Sequence, residues 1–311
     1  MNIAANPENL CRIGLVGLDM SHAVEFTRRL NDSQHPERVA GGRVVCGWPG
    51  GSADFPLSCS RVGTFTAELR DTFGVEILDS PEAVAERVDV VFITAADGRV
   101  HRPLFERIVQ LKRPTFIEKP LATSSQDARE IFRLAMGAKV AVMSCSTARF
   151  GEPLARAVAD SSLGKIIGCE VFGPMPEEPT QPGLFWYGVH SIEVLNVAMG
   201  RGCSDVRAYR NDDCDLVTAV WRDGRVATFR GVRKGAWKYG MTLHRERGFQ
   251  FVDLLHNSWF KQTLELILAN LTNGKSPVDA ADTLEIIRII EAANASRSSG
   301  LTVELLPSKA G

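Results

Sequence analysis

Apolar residues in the first half of the chain fall into short blocks. Runs of four to seven mostly apolar positions at 12–18, 43–48, 75–78, 88–94, 114–117 and 139–144 predict buried strands. Between them, helical spacing covers 21–31, 64–73, 81–86, 101–110 and 125–136. Ser21 stands where a helix cap belongs, and Gly74 where a helix stops. Pro49-Gly50-Gly51 breaks the second strand, and the polar stretch from there to Arg61 predicts a loop. Strands alternating with helices at this spacing predict a parallel sheet covered on both faces.

Past residue 150 the pattern changes. Segments 166–172, 206–209, 216–221, 226–232 and 248–252 predict successive strands, with Asp223-Gly224 as a hairpin turn. Two amphipathic helices follow. Phe260, Leu264, Ile267 and Leu271 share one face, as do Ile286, Ile289, Ile290 and Ala293. The segment 174–182, with four prolines and two glutamates, predicts a mobile loop or arm. The fold class expected is therefore α/β: a doubly wound parallel sheet over 1–148, then an α+β domain over 149–311 with a mainly antiparallel sheet.

Composition narrows the function. A formal net charge of −1 argues against nucleic acid or an anionic membrane as partner. No apolar run reaches the ~18 residues of a membrane helix, and the first eleven residues show no signal peptide. The seven cysteines form no CxxC pair, which points away from a zinc site and toward a reducing, cytoplasmic setting. His190 and Glu193 alone are too few for a metal, so none is expected. No nucleophile elbow or phosphate-binding P-loop is present.

The richest stretch is Phe116-Ile117-Glu118-Lys119-Pro120-Leu121-Ala122. It ends a strand at the sheet rim where ligands bind, and Pro120 turns the chain outward. Together with Gly14-Leu-Val-Gly17, Asp89 to Thr94 followed by His101, Leu163-Gly-Lys-Ile166, Gly188-Val-His190-Ser-Ile-Glu193 and the region 277–303, it resembles the Gfo/Idh/MocA family of NAD(P)-dependent oxidoreductases. The resemblance runs nearly the length of the chain. It implies a Rossmann domain, then an α/β domain whose large open sheet makes a homodimer or homotetramer, and a small-molecule substrate such as a sugar or polyol. In the family, a lysine matching Lys119 and a histidine matching His190 flank the reacting carbinol. By that match His190 would be the general acid/base and Lys119 would orient the hydroxyl and stabilise alkoxide charge.

Three departures from the family pattern stand out. Gly17 is followed by Leu18-Asp19-Met20-Ser21-His22, so Asp19 occupies the position of the glycine that lets backbone approach a pyrophosphate. Its carboxylate would weaken binding, while the helix start and the Ser21 hydroxyl would favour an anion. His22 would meet phosphate or substrate, or else face solvent or pack at the helix start. The second strand ends without the acidic residue that holds the ribose 2′-hydroxyl. Gly50, Gly51 and Ser52, with Arg61 downstream, lean toward NADP over NAD, or form only a turn. Trp186 takes the place of a common active-site aspartate, beside Tyr187; the pair stacks on a sugar ring or belongs to the core. Thr94, Asp97, His101 and Glu118 are the further expected cofactor contacts, with a turn and helix cap the other reading of Asp97 and His101. Arg149 would hold an anionic substrate group or form an ion pair. Arg230, Arg233, Lys234 and Lys238 around Trp237 read as a solvated basic face. A binding or regulatory protein that kept the fold and lost the chemistry is the alternative, supported by Asp19 and Trp186.

Overall fold

The computed structural model describes residues 10–254 and 259–306. The chain divides into two units, one formed by Met1–Ala122, Gln126–Cys145 and Phe260–Ala280, the other by Thr123–Ser125, Ser146–Trp259 and Ala281–Gly311.

In the first unit β1 (Cys11–Val16), β2 (Gly42–Trp48), β3 (Glu76–Ile77), β4 (Val90–Ile93), β5 (Thr115–Ile117) and β6 (Val142–Met143) form one parallel sheet in the order β3-β2-β1-β4-β5-β6. The helices between them are α1 (Ser21–Asn31), α2 (Pro56–Phe73), α3 (Pro81–Arg87), α4 (His101–Ile108) and α5 (Ser125–Ala138). Every residue of β4 and β5 is buried, as expected of strands covered on both faces. The order reverses between β1 and β4, so the crevice beyond their carboxyl ends is the topological place for a ligand.

Two local expectations are corrected. Ser21 is not a cap: Met20 holds the extended cap position, Ser21 is the first helical residue, and its side chain caps nothing. The loop expected up to Arg61 is helical from Pro56, because proline's fixed φ suits a first helical turn. Only Ser58 and Leu69 of α2 are buried, so the helix has no apolar stripe to read.

The second unit holds β7 (Ile166–Pro174), β8 (Cys203–Arg210), β9 (Cys214–Trp221), β10 (Val226–Val232), β11 (Gly240–Arg245), β12 (Gly248–Asp253) and β13 (Val303–Glu304), in the order β12-β11-β7-β10-β9-β8-β13. The β7–β10 pair is parallel and the rest are antiparallel, giving the mainly antiparallel sheet expected. Asp223-Gly224 turns β9 into β10. Two helices of this unit are α6 (Glu152–Ala159) and α7 (Gly188–Met199). α7 packs on β7 and β10 with ten of its twelve residues buried, so it is buried nearly all round and lacks a periodic signal. Two further helices, α8 (Trp259–Asn270) and α9 (Ala280–Ser299), close the chain.

The segment 174–182 is tied down rather than loose: Glu177 pairs with Arg210 and Arg297 at 2.8 and 2.6 Å, and Gln181 is buried. Arg233 likewise leaves the expected solvated face to pair with the fully buried Asp215 at 3.3 Å, while Trp237 stays exposed. Phe260 of α8 belongs to the first unit, where its ring meets His22 and Phe26 edge-on and lies under the Arg29 guanidinium. Among the described residues no helix is long and apolar enough to cross a membrane.

Candidate active site

The turn after β1 is stitched to the strands on both sides. The Gly17 and Leu18 amides donate to the carbonyls of Trp48 and Pro49 at 2.9 and 2.7 Å, and Thr94 Oγ1 donates to the Gly17 carbonyl at 2.5 Å. Gly17 has φ +89°, and a Cβ there would lie 2.6 Å from the Ala95 backbone, so both conformation and space require glycine. Asp19 is almost wholly buried. Its Oδ2 accepts from Ser58 Oγ at 2.6 Å and its Oδ1 from the Ala96 amide at 3.0 Å.

Beyond this turn lies a cavity of about 220 Å³ lined by Gly17, Asp19, Trp48, the Gly50–Ser52 loop, Ala95 and the α4 residues Pro103, Leu104 and Arg107. Its wall is largely apolar apart from Asp19, Ser52 and Arg107. Arg107 lies over the Trp48 ring at 5.7 Å and holds Glu82 through Nε and one terminal nitrogen. Ser52 Oγ is buried there with no partner within the protein, as a group awaiting a ligand oxygen would be.

The Glu-Lys-Pro turn beyond β5 is fixed from three sides. Glu118 Oε1 meets His22 Nδ1 at 2.7 Å, the Glu118 carbonyl accepts from Ser144 Oγ at 3.4 Å, and the Pro120 carbonyl faces His101 Nδ1 at 2.9 Å. The other His101 nitrogen faces the Ala95 carbonyl at 2.9 Å, so the ring braces the β4 turn against the β5 turn. Burial raises the Glu118 carboxyl, but His22 and Lys119 outweigh it, leaving its pKa below the usual value. Burial lowers Lys119 against the pull of Glu118, and the net direction is down. A buried amine of lowered pKa gives up its proton more readily than a solvated lysine.

In the second unit His190 sits half-buried in the first turn of α7. Its Nδ1 lies 2.7 Å from the hydroxyl of Ser146, which is itself fully buried. The Ser146 amide donates to Glu193 Oε2 at 2.7 Å. Burial pushes the Glu193 carboxyl up to about 7 despite Arg149, which donates to its Oε1 at 3.4 Å and to Asp282 at 3.0 Å. Aromatic rings surround His190: Tyr187 and Tyr239 meet it edge-on, and Trp186 and Trp237 meet Tyr187.

Residues 11–145 match the model of the GFO_IDH_MocA family, an oxidoreductase family with an NAD-binding Rossmann fold. Over these residues the chain is similar to a Gfo/Idh/MocA Rossmann domain. In fold, the chain is similar to solved dehydrogenases over nearly its whole length. A myo-inositol 2-dehydrogenase from Lactobacillus plantarum superposes with a TM-score of 0.81 at 16% identity, covering 96% of this chain and 100% of that one. A probable dehydrogenase from Thermotoga maritima gives 0.77 at 17%, covering 94% and 98%. A myo-inositol dehydrogenase from Lactobacillus casei, solved with NAD(H) and myo-inositol, gives 0.75 at 15%, covering 97% and 98%. No curated protein matches the chain in sequence.

Gfo/Idh/MocA Rossmann domains bind NAD, and the cradle here fits its adenosine half. A glycine turn at a helix start, an apolar cavity beside it and an orphaned hydroxyl are what such a ligand needs. Of the expected contacts, Gly17, Asp19, Gly50, Gly51 and Ser52 line the cavity. Leu18 and Thr94 are fully buried, and Ser21 is exposed at the helix start. His22 turns to Glu118; Asp97 is buried and paired with Arg99 at 2.7 Å. Arg149 is committed to Glu193 and Asp282 rather than free for a substrate anion. Trp48 and Arg107 were not expected in the site. Trp48 closes β2 where the acidic residue is missing, which was the available signal; Arg107 reaches the cavity through the fold, with no signal of its own.

Proposed function

We propose that the protein is an NAD(P)-dependent oxidoreductase acting on a carbinol of a sugar, polyol or related compound, with Lys119 and His190 carrying the proton chemistry. The observation that supports it most is the buried Lys119, its pKa lowered, in a rigidly held Glu-Lys-Pro turn of an NAD-binding Rossmann unit. When bound, the nicotinamide accepts or returns the hydride. Gly17, the α1 start, Ser52 and Trp48 would hold the dinucleotide, and the rings around His190 offer flat faces to the C–H side of a sugar or cyclitol. The neighbour solved with NAD(H) and myo-inositol supports that substrate class. The Gly50–Ser52 loop carries no carboxylate and Arg61 on α2 is partly exposed, which favours accepting the 2′-phosphate of NADP.

Fluorescence titration with NADH and NADPH, followed by a sugar and polyol screen on parent and Lys119→Met, tests the reading. Micromolar binding with polyol-dependent reduction of the nucleotide is the expected result. A folded protein that binds neither nucleotide would sink it and favour the ligand-binding alternative that Asp19 and Trp186 suggest.

A homodimer or homotetramer through the second unit's sheet accompanies this proposal. Phe249 and Phe251 of β12 are 71% and 60% exposed, and Phe251 stacks with Phe172 of β7 on the same face. Light scattering on Phe251→Lys, expected to shift toward monomer, checks it. Seven cysteines, none in a disulfide, support a cytoplasmic site of action.

A further inference from the structure

We propose that Ser146 is a positioning residue that holds the His190 ring in its Nε2–H form, so that His190 meets the substrate oxygen as a hydrogen-bond donor. The reasoning is a proton count at one buried hydroxyl. Ser146 Oγ has two neighbours within hydrogen-bonding distance, the Ala148 amide at 3.2 Å and His190 Nδ1 at 2.7 Å. The amide only donates, so it occupies an oxygen lone pair. The hydroxyl proton therefore has His190 Nδ1 as its acceptor, and a nitrogen that accepts carries no proton of its own. In the neutral ring the proton then resides on Nε2.

The opposite tautomer would have Nδ1–H donating into Ser146 Oγ. It would leave the hydroxyl proton buried without an acceptor, because Ser146 is fully buried and its oxygen has no hydrogen-bond partner among the described residues besides His190 Nδ1 and the Ala148 amide. An unsatisfied buried donor of this kind disfavours that tautomer by roughly tenfold or more. The serine is held rigidly enough to enforce the choice. Its amide is fixed by Glu193 Oε2, its carbonyl accepts the Arg149 amide at 3.1 Å, and it caps the short helical turn Thr147–Phe150. A carboxylate partner would draw the proton to Nδ1 and favour the charged ring; a hydroxyl that donates does neither. An Nε2–H donor stabilises negative charge on the substrate oxygen, the task the resemblance gives to Lys119, and leaves the Lys119 amine as the group that takes the hydroxyl proton.

The inference rests on the proposed function only for the substrate; the tautomer is readable without one. Long-range proton–nitrogen NMR correlations of isotopically labelled histidine distinguish the two neutral forms, with the His190 signal assigned by its disappearance in His190→Gln. The parent is expected to show Nε2–H. Ser146→Ala should raise the Nδ1–H population several-fold, and Ser146→Thr, which restores the hydroxyl, should return the parental pattern. An Nδ1–H ring in the parent, or an unchanged tautomer ratio in Ser146→Ala, overturns the proposal. If the tautomer is as expected while no sugar or polyol is turned over, the functional reading fails and the role of Ser146 toward the ring stands.

Discussion

Replacing Glu193 by Gln should remove a pH-dependent load from the fold. Glu193 is fully enclosed in α7, and burial raises its pKa from 4.5 to about 7. A folded-state pKa above the unfolded one means the native protein binds the proton more tightly. The associated stability is present in full below about pH 4.5 and is lost as pH rises through 7. Between pH 5 and 8 the loss amounts to about 2–3 kcal/mol for this one group. That corresponds to roughly 4 °C of Tm if the chain melts as one body. The glutamine carbonyl can still accept the Ser146 amide, so the local hydrogen bond survives while the titration does not. The assay is thermal or urea unfolding of parent and Glu193→Gln across that range. Taking the difference cancels histidines and other groups common to both proteins. The parent should gain on the variant as pH falls from 8 to 5. A difference that is flat with pH would mean Glu193 stays ionised beside Arg149, and the assignment of a protonated carboxyl would be refuted.

Three further outcomes follow from the first unit. Gly17→Ala should cost about 2–4 kcal/mol in urea unfolding and abolish dinucleotide binding, because its Cβ meets the Ala95 backbone at 2.6 Å and φ is +89°. Asp19→Gly should bind NAD(H) more tightly, since a carboxylate leaves the phosphate site. It should also lose about 1–3 kcal/mol, as Ser58 Oγ and the Ala96 amide lose their acceptor; unchanged stability would contradict the strut. Lys119→Met should lower turnover about 10²–10⁴-fold with little change in dinucleotide Kd, measured by steady-state kinetics and titration.

The alternation of short apolar runs and helical stretches was enough to read the parallel sheet, because strands buried on both faces, such as β4 and β5, are continuous in apolar residues. Elements at either extreme of burial were not legible. α7 is buried nearly all round and the start of α2 hardly at all, so neither carries a stripe. β11 also went unread. Its alternation of buried and half-buried residues along Gly240–Arg245 follows an exposed basic stretch that reads as surface. The tie that pins 174–182 depends on Asp215, Arg233 and Arg297, residues far apart in sequence whose pairing only the sheet order creates.

The departures from the glycine-rich pattern were legible as departures, but their physical meaning was not. In G-x-G-x-x-G the second glycine gives a ligand close approach and the third lets helix and strand pack. Here those positions hold Asp19 and His22. Each side chain reaches sideways to a neighbouring turn, Asp19 to the Ala96 amide beyond β4 and His22 to Glu118 beyond β5. The space left by a missing glycine is thus used to brace the rim of the sheet. The same His22 contact keeps Glu118 ionised beside Lys119 and so moderates how far burial lowers the amine. A charge in the phosphate turn, read alone, suggests a damaged cofactor site. With both Asp19 oxygens engaged and the orphaned Ser52 hydroxyl in the adjoining cavity, the same residue is better understood as part of the frame that holds the site open.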